Sequence, residues 1–239
     1  MGKILVIPDV HLKPWMFDQA TDIMENSDCE NAVILGDLVD DWGCESNFEL
    51  YEETLDTAIS FAKRYPGSYW CYGNHDLSYL WSQYDHPGFS IAAADMVCDK
   101  LEELRDTLES PENFGIIHRL DNTLFYHAGL SKEFVESQLY SMMSDLDCTL
   151  DIINDYGYEE LWEENSPIWI RPQDGNLAKG MFPDDLLQVV GHTPVNEVLV
   201  QDNLITVDVF STTRGGAPIG NEEFIWVDTI EKTWGYIDD

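Results

Sequence analysis

Basic residues are scarce in this chain: 12 Lys and Arg stand against 46 Asp and Glu, a formal charge of −34 over 239 residues. A surface this acidic repels polyanions, which argues against DNA, RNA or anionic lipid as partners unless bound divalent cations reverse the field locally. Solubility or a salty milieu explains the acid excess equally well, so charge alone selects no function. Cysteine is also sparse. The five cysteines are odd in number and none sits in a Cys-x-x-Cys pair, which speaks against a disulfide framework and against a thiolate zinc site. No segment approaches the roughly 20 apolar residues that span a bilayer, and the apolar stretch near Met1 is too short for the core of a signal sequence. A reducing cytoplasm is therefore the expected setting. Repeats and low-complexity linkers are missing as well, and 239 residues fit one domain spanning positions 1–239.

What the chain does contain is core material: 44% apolar residues, including 8 Trp, 11 Tyr and 10 Phe. Brief β-favouring runs at 4–7, 32–35, 69–72, 123–126 and 186–190 predict buried strands, because each is short and closed by turn-forming residues. Between them, 48–65 carries Leu55, Ile59 and Ala62 on one helical stripe, and 91–108 carries Val97, Leu101, Leu104 and Leu108. An acidic stretch at 131–164 reads as helical, and the tail offers further strands at 198–201, 204–209, 223–227 and 234–237. Strand and helix alternate, so the expected class is α/β.

The chemically loaded residues stand just beyond the strand ends, where an open α/β sheet binds ligands. Asp9 and His11 follow the first run, Gly36-Asp37 the second, and Gly73-Asn74-His75-Asp76 the third; His127-Ala128-Gly129 and Gly191-His192-Thr193 close two later ones. Any one fragment is weak, since an Asp at a strand end more often caps a turn. The ordered set is strong. Four of the six histidines belong to it, whereas packing histidines would scatter. Carboxylate, imidazole and amide oxygen together suit Mn, Fe or Zn, and a carboxylate at a tight Gly-Asp turn can reach two ions about 3.5 to 4 Å apart, which makes Asp37 the candidate bridge. His75 adjoins a ligand and is the natural general acid. The bland alternative is a hydrogen-bonded turn histidine.

These motifs, quoted as Asp9-Val10-His11, Gly36-Asp37-Leu38-Val39-Asp40, Gly73-Asn74-His75-Asp76, His127-Ala128-Gly129 and Gly191-His192-Thr193-Pro194, resemble the calcineurin-like metallophosphoesterases. The nearer branch is that of the phosphoprotein phosphatases and bacterial diadenosine tetraphosphate hydrolases. The resemblance implies a four-layer sandwich of two mainly mixed β-sheets flanked by helices. It implies two divalent transition metal ions, manganese favoured over iron or zinc. Asp9 and His11 would hold the first, Asp37 would bridge, and Asn74, His127 and His192 would hold the second, Asn74 also touching phosphate. His75 would protonate the leaving alkoxide and Asp40 orient it, after in-line attack on phosphorus by a hydroxide shared between the ions.

One departure concerns the phosphate clamp. Where phosphoprotein phosphatases continue Asp-Arg-Gly, this chain reads Asp40-Asp41-Trp42-Gly43, and an acid there should repel a phosphate dianion. Ser166-Pro167-Ile168-Trp169-Ile170-Arg171 is similar to the Leu-Trp-x-Arg segment of the bacterial members and makes Arg171 the phosphate-binding candidate. Arg214 and Lys13 are weaker ones, Trp15 and Trp42 could wall a pocket, and His86 and His118 receive no role. The leading reading is hydrolysis of a small soluble phosphorylated substrate, with no nucleic acid polymer and no membrane. Dinucleoside polyphosphate hydrolysis, protein dephosphorylation and a non-catalytic metal-dependent scaffold are the rivals.

Overall fold

The computed structural model describes residues 2–83, 88–139, 145–173, 181–183 and 185–237. Strands β1 (Lys3–Ile7), β2 (Cys29–Ile34), β3 (Tyr69–Cys71) and β4 (Phe114–Gly115) lie parallel and adjacent, and β10 (Ile225–Asp228) and β11 (Thr233–Tyr236) extend this sheet antiparallel beyond β1. A second sheet has β6 (Thr123–Tyr126), β7 (Leu187–Val190) and β9 (Leu204–Thr206) parallel at its centre. Antiparallel β5 (Ile117–Leu120) and β8 (Leu199–Gln201) form its edges. Both sheets are thus mixed, as the class of the motifs implied.

Side-chain alternation explains the layering. Phe125, Val189 and Ile205 of the second sheet join one core with β1, β2 and the helices α1 (Trp15–Asn26), α2 (Phe48–Arg64) and α4 (Ala94–Thr107). Their neighbours Leu124, Tyr126, Val190 and Leu204 join another with α5 (Lys132–Leu139), α6 (Leu146–Asn154) and α7 (Tyr158–Leu161). Period-2 faces sandwiched between two helical layers give four layers in all. Strand β1 is buried from Ile4 to Ile7 on both faces, as parallel strands covered by helices must be.

Several sequence expectations shift. Among the described residues of the acidic stretch 131–164, the helical expectation resolves into three short helices, Asp145 capping α6 by accepting from Cys148 N at 3.2 Å and Gly157 opening α7. The expected strand 204–209 stops at Thr206, where the chain turns, Val209 N donating to Val207 O at 2.8 Å. Helices α1 and α3 (Asn74–Leu80) and strand β5 are not among the sequence expectations; β5 interposes His118 and Arg119 between Ile117 and Leu120. His86 falls outside the described residues.

His118 acquires a structural role. It is buried on β5, its Nε2 donates to Trp70 O of β3 at 2.8 Å, and its ring lies 5.3 Å from that of Tyr69, so it ties one sheet to the other. Burial pulls its pKa down to about 4, the Trp70 carbonyl opposing. A histidine depressed in the folded state contributes stability above its unfolded pKa near 6.5 and loses it as pH falls. Between pH 6.5 and 4 this one group should remove about 3 kcal/mol. Urea unfolding at both pH values should show that increment in the wild type and not in His118→Gln.

Candidate metal centre

Five of the seven parallel strands named above, β1, β2, β3, β6 and β7, deliver the candidate residues to the same edge. Asp9 and His11 follow β1, Asp37 and Asp40 follow β2, Asn74 and His75 follow β3, His127 follows β6 and His192 follows β7. The turns that present them are tight. His11, Leu12, Asp37, Asp40 and His192 all have positive φ, between 44° and 66°, a conformation costing roughly 1–3 kcal/mol at a non-glycine residue. Glycine is required beside them: a Cβ at Gly73 would run into the Asp37 carboxylate, and one at Gly191 into that of Asp9.

Each candidate imidazole is oriented by a main-chain carbonyl. His11 Nδ1 lies 2.8 Å from Asp40 O, His127 Nδ1 2.8 Å from Leu35 O, and His192 Nε2 3.1 Å from Trp169 O. One ring nitrogen of each thus donates outward, leaving the other toward the centre, the arrangement by which second-layer partners set the tautomer of a ligand. Asp37 Oδ2 stands at the convergence: 3.3 Å from His127 Nε2, 3.7 Å from His11 Nε2 and 4.0 Å from His75 Nε2. His127 Nε2 is also 3.0 Å from Asn74 Oδ1 and 3.1 Å from His192 Nδ1. Among the described residues two groups have ligand atoms mutually within 4.8 Å, His11 with Asp37 and His75, and Asp37 with His127 and His192, and they share Asp37. Asp9 falls outside both. Its Oδ1 accepts from His192 N at 2.8 Å, and its Oδ2 is buried with no hydrogen-bond partner.

The electrostatics describe a cluster held together by opposed charges. Burial pushes Asp37 up, but His127, His75 and His11 together hold it well below the usual carboxylate range. Burial pulls His127 down, yet Asp37 and Asp9 lift it to about 9. Burial and then the neighbouring Asp208 raise Asp9 well above its ordinary value. Burial, His127 and Arg171 keep His192 well below 6.5, hence neutral and able to coordinate. The orphaned Asp9 oxygen, the inward-facing imidazole nitrogens and the set of carboxylate, amide and imidazole donors fit divalent transition ions. The five cysteines are all free, and none belongs to either ligand group.

Around this centre Asp40 is nearly inaccessible and densely bonded. Its Oδ1 accepts from Tyr51 Oη at 2.6 Å and Tyr79 Oη at 2.5 Å, and its Oδ2 lies 2.9 Å from His75 Nδ1. Burial raises its pKa to about 8, the two tyrosine hydroxyls working the other way. Asp76 organises the bridge turn from behind, accepting from Asp37 N at 2.8 Å, Leu38 N at 2.9 Å and Gly73 N at 2.9 Å. Sequence reasoning quoted Asp76 within a motif without giving it work, and it missed Tyr51 and Tyr79, whose spacing on α2 and α3 reads as core.

Asp41 lines the cavity at this centre and has partners its sequence position did not show: Thr212 Oγ1 donates to its Oδ1 at 2.8 Å and the largely buried Lys13 Nζ stands 3.6 Å from its Oδ2. Arg171 reaches the site edge, Nη1 donating to His192 O at 2.9 Å and to Thr193 Oγ1 at 3.2 Å. Together with His11, Asp37, His75, Trp42 and Trp169 it lines a cavity of about 260 Å³. Arg214 packs over Trp42, 4.7 Å from the ring centre, while Trp15 packs on Phe210 and does not line the cavity.

A family profile described as calcineurin-like phosphoesterase matches residues 2–217. Comparison with curated proteins finds no match. Among solved structures, the chain is similar to a Saccharomyces cerevisiae protein serine/threonine phosphatase with similarity to human phosphatase PP5. That likeness is 15% identical with TM-score 0.56, covering 95% of this chain and 72% of the other. A metallophosphoesterase from Sphaerobacter thermophilus gives 15% identity and TM-score 0.51 over 99% and 88%. A Pyrococcus horikoshii hypothetical protein gives 12% and 0.51 over 100% and 88%. At such identities the likeness is one of fold.

Proposed function

The chain belongs to the calcineurin-like phosphoesterase family, matched over residues 2–217, and from that premise we propose that it is a two-metal phosphoesterase acting on a small soluble substrate. The observation that carries this reading is the convergence of His127, His11 and His75 on one buried Asp37 oxygen, at 3.3, 3.7 and 4.0 Å. Asp9 and His11 would serve one metal position, Asn74, His127 and His192 the other, and Asp37 both. Two divalent ions, manganese favoured, would supply an activated water nucleophile and neutralise phosphoryl oxygens.

The remaining chemistry belongs to the chain's own side chains. His75, tied through Nδ1 to Asp40 at 2.9 Å, would donate its Nε2 proton to the departing oxygen, while Asp40 holds the ring in place. Arg171, anchored on His192 O, would meet the substrate's phosphate from the cavity rim, together with Asn74. The net charge of −34 favours a small substrate over a nucleic acid polymer. No helix among the described residues is long and apolar enough to cross a membrane, and the free cysteines suit a reducing cytoplasm. The decisive experiment offers Mn2+-loaded protein an aryl phosphate monoester, an aryl diester, dinucleoside polyphosphates and phosphopeptides. Metal-dependent hydrolysis of at least one is expected. No turnover with any of them and no stoichiometric metal would end the reading.

A second reading, cleavage of a dinucleoside polyphosphate, is favoured by Trp42, 42% exposed and lining the same cavity as Trp169. Stacking of a base on an aromatic ring contributes about 1–3 kcal/mol. On that reading Trp42→Ala should raise KM for a dinucleotide about tenfold or more and leave KM for a small alkyl phosphate unchanged.

A further inference from the structure

Strand β9 is the remaining parallel strand of the second sheet, and Asp208 stands two residues beyond its end at Thr206. Strands β1, β2, β3, β6 and β7 each hand a metal-centre candidate to this edge, and Asp208 stands in the corresponding place after β9. Its main chain is fixed there: Asp208 O accepts from Val195 N at 2.9 Å, and Oδ1 accepts from Ser211 N at 3.3 Å. The side chain is 1% exposed, lines the cavity that holds His11 and Asp37, and its Oδ2 is buried without a hydrogen-bond partner. Asp9 Oδ2 is orphaned in the same way. The charges of Asp9, His11 and Asp37 act on Asp208 or are acted on by it.

Two buried carboxylates on one site, each with an unsatisfied oxygen, are costly unless a cation compensates them. We propose that Asp208 supplies a further carboxylate to the metal position served by Asp9 and His11, completing that position from the second sheet as Asp9 and His11 begin it from the first. A purely structural acid would have both oxygens paired, as Asp76 does with three main-chain N–H groups. Asp208 leaves Oδ2 unpaired at the cavity wall. This inference rests on the two-metal reading above.

The experiment reads metal binding directly and needs no substrate. Mn2+ is titrated calorimetrically into metal-free wild type and Asp208→Asn, with electron paramagnetic resonance reporting bound Mn2+. The wild type should take two ions per chain. The Asn variant should bind one of the two at least about tenfold more weakly and the other within about twofold. Its metal-free form should melt no lower than wild type, because an unpaired buried carboxylate is gone. Asp208→Ser, smaller and neutral, serves the same purpose if Asn does not fold. Two binding constants unchanged in the variants would overturn the assignment of Asp208 alone. Equal loss of both ions with a lowered melting temperature would mark general damage and overturn it too. A wild type that binds no stoichiometric metal would sink the two-metal reading first and this inference with it.

Discussion

Replacing Asp37 by asparagine should abolish turnover and empty both metal positions, while the fold survives. The side chain can keep its geometry: Asp37 Oδ1 accepts from His75 N at 2.9 Å, and the main chain is held by Asp76 and by Val10 and His11, whose amides donate to Asp37 O at 3.0 and 2.8 Å. An asparagine oxygen could still accept the His75 bond. What it cannot supply is the negative charge faced by His127, His11 and His75. Loss of a shared anionic ligand removes metal stabilisation worth several kcal/mol in the transition state, so activity should fall by on the order of 10³ or more. Metal analysis after desalting is the check. Full retention of two ions in Asp37→Asn would disprove a bridging role, whatever the activity. The comparison is instructive against Asp76→Asn, which touches the same turn only through main-chain amides and should weaken metal binding by about 10- to 100-fold without removing it.

The second large effect is expected at His75, and it separates chemistry from architecture. His75→Ala should lower kcat by roughly 10²–10⁴ with two ions still bound, because the ring belongs to the leaving-group side and its position is set by Asp40, 2.9 Å away. A general acid matters in proportion to the basicity of the leaving oxygen. The deficit should therefore be largest for an alkyl phosphoester and shrink toward unity for a nitrophenyl ester, whose leaving group departs unprotonated. An equal deficit for both would assign His75 to the metal instead, a role its membership with His11 and Asp37 in one ligand group makes worth testing. Asp40→Asn should follow His75→Ala in this leaving-group dependence. It should also cost stability, since Tyr51, Tyr79 and His75 all converge on that one carboxylate.

Much of this centre is local information. A parallel strand buried on both faces must be a short apolar run, and the turn beyond it must hold residues that tolerate left-handed backbone or the approach of a neighbouring carboxylate. Ile4–Ile7 followed by Asp9 and His11, or Gly36 followed by Asp37, therefore announce themselves within a few positions. The α/β class and the candidate ligands could be read for that reason. Residues whose work depends on distant contacts could not. Tyr51 and Tyr79 look like core aromatics on their helices, and only the packing of α2 and α3 against the second turn brings their hydroxyls to Asp40. The neighbours of Asp41 are likewise hidden in the sequence: Lys13 stands 28 positions away and Thr212, which donates to it, 171 positions away.

Asp208 marks the same boundary from the other side. In sequence it sits inside an apolar run that reads as one strand; in space the ladder to β7 ends at Thr206, and the carboxylate lines the cavity with an unpaired oxygen. The order of the motifs along the chain determined the chemistry on offer, because donor types and turn glycines are local properties. Which donors share a cavity, which charges cancel and which carboxylate is left uncompensated were decided by the meeting of the two sheets, because electrostatic energy and desolvation depend on distance in space and not along the chain.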